Sequence, residues 1–532
     1  MSGAPGAGGP DQLSGRPRRL AVLLAMAMFV LVVDTSLMNV SISAVVRDLD
    51  TTVSGVQTAI ALEALVSAAF ILIGGKVGDL VGRRRCYVAG LLAYAVGALA
   101  MTLAQSLAAV VVFWAVVGGI GASLLLPAMQ SLIHGNFDGA ARKRVYAVVG
   151  AAAAIAAAVG PLLGGFITTF LSWRLGFAFE VAVIAVVLSG IRLVHDVPYE
   201  GERRLDLVGA VLSVVGMGGV VLGVLVWQEG GDRVGALVLL GVAALVGLAA
   251  WLVRAARSGR ATLLDPDLFR SPHFTVGVSQ QLLQQIALGG TMIVLPIYLQ
   301  MVLEYNALLA GLSLAPLSLS MFAVALVAGK RTGRRRPGVV VRWGFVLLSA
   351  GMALLIPLVP RAEFGWALVL PLVIAGSGLG LLVSQLNNYT LGPVPEIRAS
   401  EAAGVNSAAG SFGLSLGLAL AGAVMLATLS FAFGARSDAS TVLPEADKQR
   451  VAVALEQDAQ VMSTTQLEGL LAGEPDDVRA EILGINTEVR PIALQVALLV
   501  PLLAGLLGTV NSVRMTRLPD PPSLGAEGVA LG

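Results

Sequence analysis

The 532-residue chain is 56% hydrophobic and 13% charged, with a mean hydropathy of +0.85 and a formal net charge of +2. A soluble domain carries about 25% charged residues, so the composition excludes an ordinary soluble protein and predicts an all-α integral membrane protein. A single cysteine, Cys86, excludes an internal disulfide. The three histidines, His134, His195 and His273, are too widely spaced to suggest a metal site.

About 20 mostly apolar residues cross a bilayer as a helix. Runs of that kind fall at 20–41, 54–73, 86–104, 107–131, 145–168, 175–193, 206–227, 234–253, 275–301, 308–328, 339–359, 366–390, 402–431 and 491–513, fourteen in all. The first follows a Gly/Pro-rich stretch carrying Arg16, Arg18 and Arg19. It exceeds the roughly 7–15 apolar residues of a signal peptide and reads as a retained span.

Charge asymmetry gives the orientation. With the N-terminus in the cytoplasm, the loops on that side hold 26 Lys and Arg, whereas the short loops on the other side hold only Arg47, Arg174, Arg233 and Arg361. Short basic loops stay inside, so both termini, 1–19 and 514–532, are expected in the cytoplasm of a cell whose inner membrane the protein spans.

Two regions interrupt the regular alternation. Segment 432–490 holds eleven acidic and five basic residues and is expected outside. Its pattern at 446–462 and 476–483 predicts short amphipathic helices, either a small external cap or a solvated linker. In region 194–274, spans seven and eight lie between the basic linkers 192–205 and 254–273. Without that pair, six spans remain in 20–193 and six in 275–513. A six-plus-six arrangement suits a duplicated transporter with its substrate path between the halves.

The stretch Gly74-Gly75-Lys76-Val77-Gly78-Asp79-Leu80-Val81-Gly82-Arg83-Arg84-Arg85 joins spans two and three. Glycines let helix ends approach closely, and Asp79 can accept bonds from neighbouring arginines. Such a cluster can lock one membrane face and release it. The pattern resembles the cytoplasmic signature of the major facilitator superfamily, Gly-x-Leu-x-Asp-x-x-Gly-Arg-Arg/Lys. In this resemblance Gly75, Asp79, Gly82, Arg83 and Arg84 form the cytoplasmic gate.

Gly160-Pro161-Leu162-Leu163-Gly164-Gly165 in the fifth span resembles the Gly-Pro-x-x-Gly-Gly motif of drug/proton antiporters in that superfamily. Proline breaks the backbone ladder there and glycines allow tight packing. Leu31-Val32-Val33-Asp34-Thr35-Ser36-Leu37-Met38-Asn39-Val40 resembles a first-span motif of the fourteen-span drug exporter branch. The resemblance implies the major facilitator fold: two six-helix bundles plus an inserted helix pair. It departs at Ala115, which stands where the family carries an arginine in Arg-x-x-x-Gly-x-Gly, and this puts the family's proton relay in doubt at that position.

The chain carries acids instead. At 1.5 Å per residue, Asp34 lies roughly 10 Å, Glu63 roughly 13 Å and Glu180 roughly 9 Å below the outer surface. No Lys or Arg inside a span is available to pair with them, Arg192 and Arg342 lying near the cytoplasmic ends of theirs, and acids at such depth are functional candidates. Asp34 with Glu63, and with Glu180 as a third acid, is expected to exchange the driving proton and to attract cationic cargo. In the second half, Gln280, Gln281, Gln284 and Gln285 recur at a spacing that suggests one polar helix face. Asn387 and Asn388 sit on the twelfth span. Asn39, Gln281, Gln285, Asn387 and Asn388 are the candidate substrate contacts, with helix-to-helix hydrogen bonding as the alternative.

The expected function is proton-driven export of amphipathic, often cationic, small molecules by alternating access, without a cofactor beyond the proton gradient and without a nucleic-acid partner. The protein is expected to act as a monomer. The alternative is a dedicated exporter of one antibiotic or lipid product. An enzyme is not expected, because no phosphate loop, metal cluster or nucleophile–base pair stands in the sequence.

Overall fold

The computed structural model describes residues 15–196, 205–228, 233–331, 335–359, 361–362, 364–395, 398–445, 448 and 463–519. Backbone groups in lipid must be satisfied within their own segment, which favours helices. Fourteen helices among the described residues are long and apolar enough to cross a membrane. They are α1 Arg16–Val40, α2 Val53–Val81, α3 Arg83–Leu103, α4 Leu107–Asn136, α5 Gly139–Phe170, α6 Trp173–Ser189, α7 Leu207–Gln228, α8 Val234–Arg257, α9 Pro272–Val302, α10 Ala307–Lys330, α11 Pro337–Leu358, α12 Val369–Leu391, α13 Ala399–Ala439 and α14 Asp476–Arg517.

The helix ends follow local chemistry. Thr52, Ser172, Ser271 and Asn306 each accept a backbone N–H with their side chain at a helix start, as N-caps do. Proline opens α9 and α11, where its missing N–H costs nothing.

Helices α1–α6 and α9–α14 form the two six-helix bundles. Across the middle, α2 packs on α13 and α5 packs on α10. Helix α7 lies on both α2 and α13, so the inserted pair covers that seam. Gln228 of α7 donates to Gln57 of α2 at 3.0 Å, and both are buried. At the other end of the pair, Asp206 accepts from Gly209 N, Leu263 N and Trp251 Nε1 at 2.9–3.1 Å. These bonds hold the linkers on either side of α7 and α8 together.

Two expectations are corrected. The Gly74–Arg85 stretch, expected as a short connection between spans, is almost wholly helical: α2 stays helical through Val81 and α3 begins at Arg83. Only Gly82 breaks the helix, with φ of 108°, a conformation that side chains disfavour. Segment 432–490 is also less separate than expected. Helix α13 runs on to Ala439 and α14 starts at Asp476. At about 1.5 Å per residue the 41-residue α13 is roughly 60 Å long, about twice the apolar thickness of a bilayer. Residues 476–483 are therefore the first turns of α14; 446–462, Lys448 apart, lie outside the described residues. Arg436 pairs with Glu488 at 2.8 Å and Ser440 donates to Glu481 at 2.7 Å, tying the projecting ends together.

Candidate functional site

The Gly74–Arg85 turn marks one end of the bundle; the opposite end is called the far end below. At the far end the two halves are joined through backbone. Ser43 N donates to Gln300 Oε1 at 2.9 Å, Gln300 Nε2 donates to Asn39 O at 3.4 Å, and Leu308 N donates to Thr169 Oγ1 at 3.0 Å. The α5 motif explains why the helices come so close. A Cβ at Gly165 would stand 2.5 Å from Ala307 O, and one at Gly311 would stand 2.2 Å from Pro161 O. Gly160 and Gly164 press instead on Ser36 and Leu37 of α1. The Gly-Pro-x-x-Gly-Gly segment thus packs α5 against α1 on one face and against α10 on another. Asn39 is buried inside this seal, with Nδ2 donating to Thr35 O.

Behind the seal lies a buried polar cluster. Asp34 is 2% exposed. Its carboxylate accepts from Tyr94 Oη at 2.5 Å, and Trp114 Nε1 stands 3.0 Å from both of its oxygens. This corrects the expectation of partnerless acids: Asp34 has two donors, both neutral. Nothing in the sequence pattern points to Tyr94 on α3 or Trp114 on α4, because aromatic residues in apolar spans read as packing. Glu180 is 1% exposed, and neither of its oxygens has a hydrogen-bond partner among the described residues. Glu63 on α2 is half-buried. Glu63 and Glu180 both lie within electrostatic reach of Asp34, so the fold brings the three acids to one locus. Arg174, six residues before Glu180 on the same helix, is taken up by Asp48 and Ala104 O.

At the near end, Asp79 pairs with Arg83 one helical turn on, at 3.4 Å. Asp196, from the segment after α6, accepts from Arg84 N at 3.1 Å and lies against Gly82. A Cβ at Gly75 would meet Pro127 of α4 at 3.7 Å, ordinary contact. The signature therefore knits α2, α3 and the segment after α6 into one corner of the N-terminal half.

The glutamines of α9 do not share a face. Gln280 and Gln284 are buried, and Gln280 Nε2 donates to Gly508 O of α14 at 3.0 Å. Gln281 and Gln285 are half-buried and lie beside Gly410 and Gly413 of α13. Positions i and i+1 stand about 100° apart on a helix, so four residues at this spacing serve two neighbours. Asn387 and Asn388 are exposed, and Asn387 Oδ1 accepts from Asn406 at 2.9 Å.

Residues 24–418 match the family described as Major Facilitator Superfamily. The chain is 27% identical over 476 residues to a probable actinorhodin transporter of Streptomyces coelicolor, a match covering 88% of this chain and 80% of that one. It is 30% identical to multidrug resistance protein Stp of Mycobacterium tuberculosis, over 77% of each chain. It is 33% identical to a puromycin resistance protein of Streptomyces alboniger, over 77% of this chain and 82% of the other. Among solved structures, a bacterial homologue of the lysosomal transporter Spinster superposes with a TM-score of 0.61 at 12% identity, covering 95% of this chain and 99% of that one. A D-xylose–proton symporter gives 0.55 at 12% identity, over 77% and 90%.

Proposed function

Since the chain belongs to the major facilitator superfamily, and is a multi-pass membrane transporter rather than an enzyme, we propose that it exports amphipathic, often cationic, small molecules in exchange for protons. Relatives named for multidrug resistance, puromycin resistance and actinorhodin transport support export as the direction. The far end is then the outside, the Gly74–Arg85 corner faces the cytoplasm, and a monomer suffices.

One observation carries the coupling: a buried carboxylate, Asp34, held by neutral donors within electrostatic reach of two further acids. A basic partner would fix Asp34 as an ion. Neutral donors hold the charged form in place yet leave the proton free to compete. A cationic cargo that approaches the acids favours their charged forms, and a proton favours departure of the cargo. Competition for one site couples opposite fluxes without simultaneous binding. The seal of Gln300, Asn39, Ser43, Thr169 and Leu308 closes the outer face while cargo loads from inside.

A second reading, a dedicated exporter of a single product, draws on relatives named for one compound each, such as a cephamycin export protein and a tetracenomycin C resistance and export protein. Everted vesicles given a pH gradient and a panel of unrelated cationic dyes, including ethidium, test both. The proposal expects efflux of several dyes, abolished in an Asp34→Asn, Glu63→Gln double variant. Movement of one compound only supports dedication, and undiminished pH-driven efflux by the double variant defeats the coupling.

A further inference from the structure

The helix that carries Trp114 is not a regular α-helix. Residues Val110–Gly118 of α4 form a π-helical stretch of nine residues. A π-turn holds more residues than an α-turn, shifts the register of the side chains around it, and recurs at functional sites. Trp114 is buried within this stretch. Its indole packs edge-on to Phe177, with ring centroids 6.4 Å apart and the planes at 74°, and Phe177 packs in the same way on Trp173. The ring therefore has little freedom, and its one donor points at Asp34. The backbone that carries Tyr94 is held close to α4: a Cβ at Gly121 would stand 2.7 Å from Tyr94 N, and the Tyr94 ring is buried.

We propose that Trp114 and Tyr94 are positioning residues that set the pH at which Asp34 exchanges its proton, the π-helical stretch serving to aim the indole. The proposal rests on the reading of Asp34 as the proton site. Its basis is geometric: three donor contacts converge on one carboxyl group, whereas Glu180 has none among the described residues. Donors stabilise the charged form of the acid they touch. The titratable groups facing Asp34 are Tyr94 on α3, Glu63 on α2 and Glu180 on α6. The basic residues of the surrounding helices lie toward their ends: Arg16, Arg18, Arg19, Lys76, Arg83, Arg84, Arg85, Arg142 and Arg144 at the near end, and Arg174 at the far end.

The test uses full-length protein in nanodiscs labelled with 5-fluorotryptophan, which gives six fluorine signals for six tryptophans. The Trp114 signal is assigned by its loss in Trp114→Phe. It is expected to shift with pH in the wild type and in Glu180→Gln, and to stay flat in Asp34→Asn. Tyr94→Phe keeps the ring and removes one donor. It is expected to move the midpoint of the Trp114 titration upward by about one pH unit, the scale of one hydrogen bond to a charged group. The pH profile of ethidium efflux in everted vesicles moves the same way for Tyr94→Phe and Trp114→Phe. A Trp114 signal that ignores pH, that titrates unchanged in Asp34→Asn, or whose midpoint is unmoved in Tyr94→Phe overturns the proposal. If the fluorine midpoints move as expected but Asp34→Asn vesicles keep pH-driven efflux, the positioning stands and the proton-coupling reading is the part that fails.

Discussion

The two six-helix halves bury different polar chemistry. In the N-terminal half the buried polar cluster is acidic: Asp34, Glu180 and the half-buried Glu63, beside Tyr94 and Trp114. In the C-terminal half no acid is among the buried residues described; the buried polar side chains include the amides Gln280, Gln284, Gln385 and Asn406, with Arg490 toward the far end. An amide keeps its charge state at every physiological pH, so it can only hold helices together or meet cargo. An acid among neutral donors can change charge, and with it the affinity for a cation. On the proposed reading, the N-terminal half serves titration and the C-terminal half packing or cargo contact.

The sharpest way to break this comparison is to replace one buried polar side chain in each half with one of similar size. Asp34→Asn is expected to lower pH-driven ethidium efflux from everted vesicles at least about tenfold, the factor that corresponds to ~1.4 kcal/mol. Gln284→Leu, of similar size, is expected to keep efflux within about twofold, because Gln284 Oε1 is buried without a partner among the described residues. Equal losses in both variants would erase the distinction between the halves.

A second effect concerns where the halves meet. Gly311→Ala on α10 drives a methyl into Pro161 O of α5. Overpacking of this kind costs about 1–3 kcal/mol, so the thermal midpoint in detergent should fall by a few degrees and the seal should loosen. Next in size, Gln300→Ala removes two bonds across the seal, each worth about 1 kcal/mol. In a Cys86→Ser background, a cysteine introduced at Leu308 should then react several-fold faster with an impermeant maleimide added from outside. An unchanged rate would show that the seal does not depend on Gln300.

The smallest effect lies at the far surface. Arg490 of α14 is 3% exposed and donates to Met301 O at 2.9 Å and to Thr464 Oγ1 at 2.8 Å. Glu304, with φ of 53°, accepts from Thr465 N at 3.1 Å and Thr465 Oγ1 at 2.7 Å. Partial burial raises the Glu304 carboxyl, but the bonds from Thr465 and Thr464 and the charge of Arg490 outweigh it and hold the group below its usual value of 4.5. A depressed acid stabilises above its unfolded value and loses that contribution as pH falls through the folded one. Protection of Thr464–Leu470 against hydrogen exchange, relative to the intrinsic rate at each pH, should therefore fall below about pH 4, and Glu304→Gln should remove that dependence. Protection that ignores pH in the wild type would detach Glu304 from the stability of Thr464–Leu470.

Much of the fold was legible because lipid imposes a simple rule: apolar runs of one length, with basic residues sorted to one side. The gate stretch, the α5 motif and the acid positions stood out because charge and Gly-Pro pairs are rare inside apolar spans. What stayed hidden depended on angles that no residue pattern encodes. Trp114 reaches Asp34 from a π-helical stretch, although its sequence, Val-Val-Val-Phe-Trp-Ala-Val-Val-Gly, reads as plain apolar helix. Gln300 and Arg490 were concealed by their positions at a helix end and in a polar segment, where bonding partners come from distant parts of the chain. The extension of α13 and α14 beyond the bilayer was hidden because polar residues outside lipid can continue a helix as readily as end it.

The central claim, that Asp34 exchanges a proton against a cation, is tested most directly by proton release from purified protein in weakly buffered solution. Ethidium is added and the pH is followed with an indicator dye. Wild type should release protons in proportion to the ethidium bound, and Asp34→Asn should bind little and release none. Undiminished release by Asp34→Asn would contradict the account.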